Sequence, residues 1–148
     1  MAAEYVVADT TVVSKLTKQS QHSRAYQEML GERRLAVSFQ TPAELLAASF
    51  GEARQQRVDE LLAVTLKFPH AESTDVWYAR VTERRKELKK LNQRGSDASD
   101  ADVWIISSAL EYRVPLLSHD IQQVCLGRAL GLKVLTNLED LRKDNPQV

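Results

Sequence analysis

The sequence predicts an α/β fold, a single domain spanning residues 1–148 with a mainly parallel sheet of about five strands flanked by helices. Three observations carry that expectation. Short β-favouring runs, apolar on both faces, recur between helical stretches, as in strands covered by helices on each side. Helix-start residues follow directly on several of those runs: Asp9-Thr10-Thr11, Thr41-Pro42-Ala43-Glu44 and Asp120. The length of 148 residues, 43% hydrophobic and 27% charged, suits one core that buries roughly 68–70% of its unfolded surface without disulfides or structural metal.

In chain order, Tyr5-Val6-Val7-Ala8 is the first strand, and Asp9-Thr10-Thr11 caps a helix through Leu16. Leu35 to Phe39 is the second strand. Thr41 as N-cap, Pro42 at the first helical position and Glu44 at the third then start a helix to about Phe50, before Gly51. From Arg54 to Lys67, Val58, Leu61, Leu62 and Leu66 repeat at helical spacing. Thr74 to Leu91 is a longer helix with Trp77, Val81, Leu88 and Leu91 near one face. After a polar loop, 92–99, the stretch Asp102 to Tyr112 is apolar nearly all round, as befits an interior helix. Val114 to Ser118 is a strand ending at His119-Asp120. A helix to about Leu130, a strand from Leu132 to Leu135 and a C-terminal helical turn complete the chain. No internal repeat, low-complexity tract or linker interrupts it.

Several function classes are disfavoured at once. Twenty basic residues balance twenty acidic ones, which excludes a strongly cationic nucleic-acid binder but not a nuclease, since metal-binding acids mask a basic face. Cys125 is the single cysteine, so neither an intrachain disulfide nor a cysteine zinc cluster forms, and a reducing cytoplasm fits best. Glu4 and Asp9 stand where a signal peptide carries basic residues, and no apolar run approaches the roughly 20 residues that span a bilayer. No G-x-G-x-x-G or P-loop is present, so nucleotide-cofactor readings lack support.

The acids are the informative residues. In open α/β sheets ligands bind outside the carboxyl ends of the strands. Asp9 and Asp120 each follow a predicted strand, while Glu44 and Asp102 each lie in the first turn of a helix. Separated by 35, 58 and 18 positions, the four are candidates to converge on one rim. Singly, each is also a plausible helix cap: Glu44 with Thr41, Asp102 with Ser99, Asp9 and Asp120 after strands. Together they point further, because caps do not require acids and gathered like charges repel unless a cation sits among them. A hard divalent ion is the natural partner for carboxylate oxygens.

Val7-Ala8-Asp9-Thr10-Thr11, Thr41-Pro42-Ala43-Glu44-Leu45, Asp102-Val103-Trp104-Ile105-Ile106-Ser107-Ser108-Ala109 and Leu117-Ser118-His119-Asp120 together resemble, in order and spacing, the PIN-domain ribonucleases. The nearest likeness is to the VapC-type toxins of toxin–antitoxin pairs, and it covers essentially the whole chain. The resemblance implies an Mg²⁺-dependent endoribonuclease, with Mn²⁺ able to substitute. It assigns Asp9, Glu44, Asp102 and Asp120 to metal and catalysis, with Thr10 and Ser118 as hydroxyls behind them. It implies RNA hydrolysis by metal-activated water to 5′-phosphate and 3′-hydroxyl ends, a small antitoxin as partner, and a homodimer. Two departures stand beside the likeness: Ile106-Ser107-Ser108 where the family often has Ile-Ala-Ala, and Gln123-Val124 where an aromatic is common. Neither touches a proposed ligand.

Other residues have plainer readings. Arg80, Arg84, Arg85, Lys86, Lys89 and Lys90 give their helix a basic stripe, a candidate RNA surface that a merely solvated face explains as well. His119, beside Asp120, reads as an exposed rim histidine ahead of a contact to RNA or to a leaving group, Cys125 as a small buried residue, and Trp77 and Trp104 as core rather than base-stacking platforms. The apolar positions of Val58–Leu66 suit either core or a dimer interface. The rival from another class is a phospho-receiver domain, also α/β with rim aspartates. It is disfavoured because Asp9 stands alone and no Lys follows the last strand. A dehalogenase-like phosphatase lacks its second acid at Thr11, and a catalytically silent PIN binding module remains the other alternative.

Overall fold

The computed structural model describes residues 4–18, 20–48 and 50–142. Its framework is a five-stranded sheet in the order β3-β2-β1-β4-β5 with every neighbouring pair parallel. The strands are β1 (Tyr5–Ala8), β2 (Arg34–Ser38), β3 (Leu66–Phe68), β4 (Leu116–Leu117) and β5 (Val134–Leu135). The helices are α1 (Thr10–Leu16), α2 (Gln21–Leu30), α3 (Thr41–Ala47), α4 (Glu52–Ala63), α5 (Glu72–Lys90), α6 (Asp100–Tyr112), α7 (Ile121–Ala129) and α8 (Glu139–Arg142). The expected α/β class with a parallel sheet is therefore the fold observed. A phospho-receiver is not: its strand order of 2-1-3-4-5 differs from the order here.

Val6, Val7 and Ala8 are wholly buried because β1 is central and covered on both faces. One core lies beneath α5, α6 and α7, built from Val7, Ala36, Val81, Ile106, Leu116 and Val124 among others. The other lies beneath α1 to α4 and includes Val6, Val12, Val13, Tyr26, Leu45 and Val58. Val58 is thus core rather than interface. No helix among the described residues is long and apolar enough to cross a membrane.

Three local expectations are corrected. The helix read over Arg54 to Lys67 stops at Ala63, and Leu66 instead opens β3 at the edge of the sheet. Three residues with an exposed lysine at their centre give no period to detect. Helix α2 was not anticipated; Ser20 caps it by accepting from the Ser23 amide, and Gly31 at φ 57° ends it. The third correction concerns α3, where Gln40 is the cap residue and Thr41 is already helical. The Thr41 hydroxyl turns instead to Thr10 (3.2 Å), and Glu44 finds partners outside its own helix.

The Ser99–Asp102 capping box forms as expected: Ser99 Oγ accepts from the Asp102 amide (3.1 Å) and Asp102 Oδ2 accepts from the Ser99 amide (3.0 Å). Ser99→Ala is expected to destabilise the protein by about 1 kcal/mol, read by denaturant unfolding. An unchanged midpoint would show that the Asp102 half of the box suffices.

Candidate active site

The carboxyl ends of β1 and β4 lie side by side, joined by the Asp9 amide donating to the Leu117 carbonyl (2.9 Å). Chain order therefore delivers Asp9 and Asp120 to one rim. Asp9 caps α1, its Oδ1 accepting from the Thr11 amide (3.3 Å). Asp120 caps α7, its Oδ1 accepting from the Gln123 amide (2.9 Å), while its own amide donates to Ser118 Oγ (3.2 Å). The cap readings and the rim reading are both true of the same residues.

Hydrogen bonds tie the other two acids to this rim. Thr10 Oγ1 donates to Glu44 Oε1 (2.9 Å), which carries the hydroxyl next to Asp9 onto α3. Gln40 Nε2 donates to the same Glu44 oxygen (3.1 Å) and to the Ala101 carbonyl (3.2 Å), joining α3 to the first turn of α6. Gln123 Nε2 donates to Asp102 Oδ1 (3.3 Å), so one buried glutamine holds Asp102 by its side chain and Asp120 by its backbone. The expected hydroxyls, Thr10 and Ser118, both contact acids of the set. Gln40 and Gln123 were not anticipated; an amide between carboxylates leaves no pattern in a sequence.

The electrostatics show that the acids crowd one another. Asp9 is 4% exposed, and its pKa is raised from an ordinary 3.8 to about 7, first by burial and then by the charges of Asp102 and Asp120. The backbone amides of Thr11 and His119 pull the other way. Asp102 is also raised, by burial first, with Asp120 and Glu44 adding to it against the Ser99 hydrogen bonds. Three buried oxygens around this rim have no hydrogen-bond partner: Asp9 Oδ2, Gln40 Oε1 and Gln123 Oε1. All three are acceptors whose neighbours supply no donor. Such a site calls for a cation or for water. The donor set is all oxygen, which fits Mg²⁺ or Mn²⁺ and not a soft metal. Among the described residues no group of three or more His, Cys, Asp or Glu side chains is placed to hold a metal ion.

The remaining residues fall outside the rim or beside it. Arg85 donates to the Ala98 carbonyl (2.9 Å) and pairs with Asp100 (3.1 Å). Arg84 donates to the Ala129 carbonyl (3.1 Å) and pairs with Glu87 (3.2 Å). These two brace α5 against its neighbours. Arg80 lies over the Trp77 ring at 4.7 Å, Lys86 faces Glu83 at 3.8 Å, and Lys89 and Lys90 are exposed. Neither tryptophan is in the buried core. Trp104 is half-buried between Tyr78, Phe39 and His70. Cys125 is half-buried rather than buried. His119 is not a free rim histidine either. Its Nδ1 lies 2.5 Å from the Tyr26 hydroxyl, and its pKa is lowered by burial, then by Lys15 and His22.

No family model matches the chain, and no curated protein matches its sequence. Solved structures do match its fold. VapBC2 from Rickettsia felis, bound to a promoter DNA fragment, superposes with a TM-score of 0.66 at 16% identity, over 89% of this chain and 98% of the other. VapBC-1 from nontypeable Haemophilus influenzae gives 0.63 at 21% identity, over 89% and 97%. VapBC-5 from Mycobacterium tuberculosis, of a family of toxin–antitoxin systems, gives 0.59 at 26% identity, over 89% and 96%. The order of five parallel strands, the acids at their carboxyl rim and these superpositions over most of the chain agree: the protein has a VapC-like PIN-domain fold.

Proposed function

We propose that the chain is a metal-dependent endoribonuclease and the toxin half of a toxin–antitoxin pair. One observation carries the reading: a buried Asp9 carboxylate, crowded by Asp102 and Asp120, in a rim whose three unpartnered buried oxygens are all acceptors. A purely structural cap has no use for that arrangement, which stores repulsion that a divalent ion relieves. Asp9, Glu44 and Asp102 would hold the ion, with Asp120 completing the set. When bound, Mg²⁺ shields the phosphodiester's negative charge and acidifies a water for attack on phosphorus.

The chain's own residues have definite tasks in this scheme. Thr10 and Gln40 fix the direction of Glu44, and Gln123 fixes Asp102 and Asp120 relative to each other. Burial of Asp9 keeps competing water from its oxygens. The similarity to toxin–antitoxin complexes supports a small antitoxin as partner, and a second copy of the chain belongs to the same proposal.

The test is cleavage of a mixed RNA panel by antitoxin-free protein in Mg²⁺ or Mn²⁺, with the product ends mapped. Cutting abolished by EDTA, with 5′-phosphate and 3′-hydroxyl ends, is the expected result. A 2′,3′-cyclic phosphate would mean that the RNA's own 2′-hydroxyl attacks, and the metal-activated scheme would fall. No cutting by folded, metal-loaded protein would favour a binding module.

A further inference from the structure

Beside the acids, on the side of α2, stands a second group of polar side chains that the proposed metal chemistry does not use. Tyr26 of α2 is wholly buried among apolar residues, its ring edge to face with His119 and its hydroxyl hydrogen-bonded. That hydroxyl accepts from the Asn137 amide (3.2 Å), and its proton has two acceptors, His119 Nδ1 at 2.5 Å and the Ser118 carbonyl at 3.2 Å. Assigning the hydroxyl hydrogen bond to the nearer acceptor makes Nδ1 the acceptor and leaves the His119 ring hydrogen on Nε2. His22, in the first turn of α2, is held the same way: Asn137 Nδ2 donates to its Nδ1 (3.1 Å), so its hydrogen also sits on Nε2. The two rings meet edge to face with centroids 4.7 Å apart. Among the described residues, no hydrogen-bond partner faces either Nε2.

With that assignment a buried tyrosine and an asparagine hold two imidazoles in one tautomer, with both remaining donors unspent. His119 lies between Ser118 and Asp120, and its backbone amide eases the charge on Asp9, so the pair adjoins the acidic rim. RNA approaching four carboxylates is repelled along its backbone except where cations or donors receive it. We propose that the Nε2–H groups of His22 and His119 form a two-donor clamp for a backbone phosphate of the RNA strand next to the cleaved bond, with Tyr26 as the positioning residue behind His119. This rests on the ribonuclease reading and adds to it the place where the strand is gripped.

Two amide substitutions separate contact from scaffolding. Gln carries its nitrogen near the place of Nε2, and Asn carries a polar group near the place of Nδ1. His119→Gln keeps the donor toward RNA, and His119→Asn keeps only the partner of Tyr26. The probe is a mixed-sequence single-stranded oligoribonucleotide in Mg²⁺, with KM and kcat measured separately alongside thermal unfolding. We expect His119→Asn to raise KM about 10- to 100-fold, as loss of one charge-assisted hydrogen bond does, with little change in kcat, and His119→Gln, which restores the donor, to recover most of that loss. Tyr26→Phe should raise KM in the same direction. Replacing single phosphates by uncharged methylphosphonates should reveal one linkage at which wild type and His119→Asn become equal. If His119→Asn behaves as wild type while His119→Gln loses stability, the ring merely holds Tyr26, and the clamp is overturned with the ribonuclease reading intact. If wild type neither binds nor cuts any RNA offered, both fall together.

Discussion

Asp9→Asn is expected to abolish RNA cleavage while making the metal-free protein more stable. The loss of activity should exceed the roughly 10- to 100-fold that removing a residue behind a metal ligand costs, because Asp9 would itself be a ligand. Asparagine keeps the shape, and its side-chain oxygen still accepts from the Thr11 amide, so the α1 cap survives. What disappears is the negative charge that draws the ion. Retention of about a tenth or more of wild-type turnover would remove Asp9 from the metal set, since a lost ligand cannot cost so little.

The gain in stability follows from the same crowding. Asp9 has a folded pKa of about 7 against an ordinary 3.8. A group raised in this way contributes stability that is fully present below its unfolded pKa. That contribution fades as pH rises through the folded value, because the unfolded chain gives up the proton first. In EDTA, wild-type stability should therefore decline between about pH 4 and pH 8, by an amount on the order of 4 kcal/mol at about 1.4 kcal/mol per pKa unit. Asp9→Asn should flatten that decline. Mg²⁺ should oppose it in wild type, since an ion that binds only the folded state stabilises it. Denaturant unfolding at a series of pH values, with EDTA or Mg²⁺, reads all of this. A flat wild-type profile would mean that Asp9 ionises without hindrance, and the electrostatic case for a cation would be lost.

How much of this was legible in the sequence depends on whether the cause is local. β1 could be read because it is buried on both faces and its residues say so one by one. The Ser99–Asp102 box could be read because both partners lie within one helical turn. The four acids could be placed on one rim because each follows a strand or opens a helix, and parallel topology does the rest. Where the cause is another element, the sequence is silent. Glu44 looked like the third residue of a capping box, but its oxygen is claimed by Thr10 and Gln40. Gln123 stands in the stretch where the resembled family commonly has an aromatic, and its role depends on Asp102, 21 positions earlier. Tyr26 and His119 are separated by 93 positions, and only the adjacency of α2 to the β4 rim joins them. β3 escaped notice for a different reason: its three residues owe their strand form to pairing with β2 rather than to their own pattern.

Gly95→Ala should produce the largest loss of stability from a single added methyl group. Gly95 lies in the 91–99 loop that carries the chain from α5 to α6, and its φ of 106° is a conformation that L side chains rarely adopt. A Cβ there would stand 2.8 Å from the Leu126 backbone nitrogen, 3.1 Å from the Leu126 Cα and 2.9 Å from Leu88 Cδ1. The Leu88 methyl can rotate away, but the α7 backbone cannot yield without disturbing the helix that holds Gln123. The loop is pinned from the same side, since the Gly95 amide donates to Gln122 Oε1 (2.7 Å) and the Asp97 amide to the same oxygen (3.2 Å). Backbone strain of about 1–3 kcal/mol and overpacking of about 1–3 kcal/mol act together. A loss of about 3–5 kcal/mol is therefore expected from these two contributions. Gly131→Ala provides the control: φ is 79° there, but nothing lies within 4 Å of the new Cβ, so strain alone applies. Its cost should be nearer about 1 kcal/mol. Equal midpoints for the two variants in denaturant unfolding would show that α7 gives way freely. The acids that Gln123 holds together would then owe their placement to something other than a rigid α7.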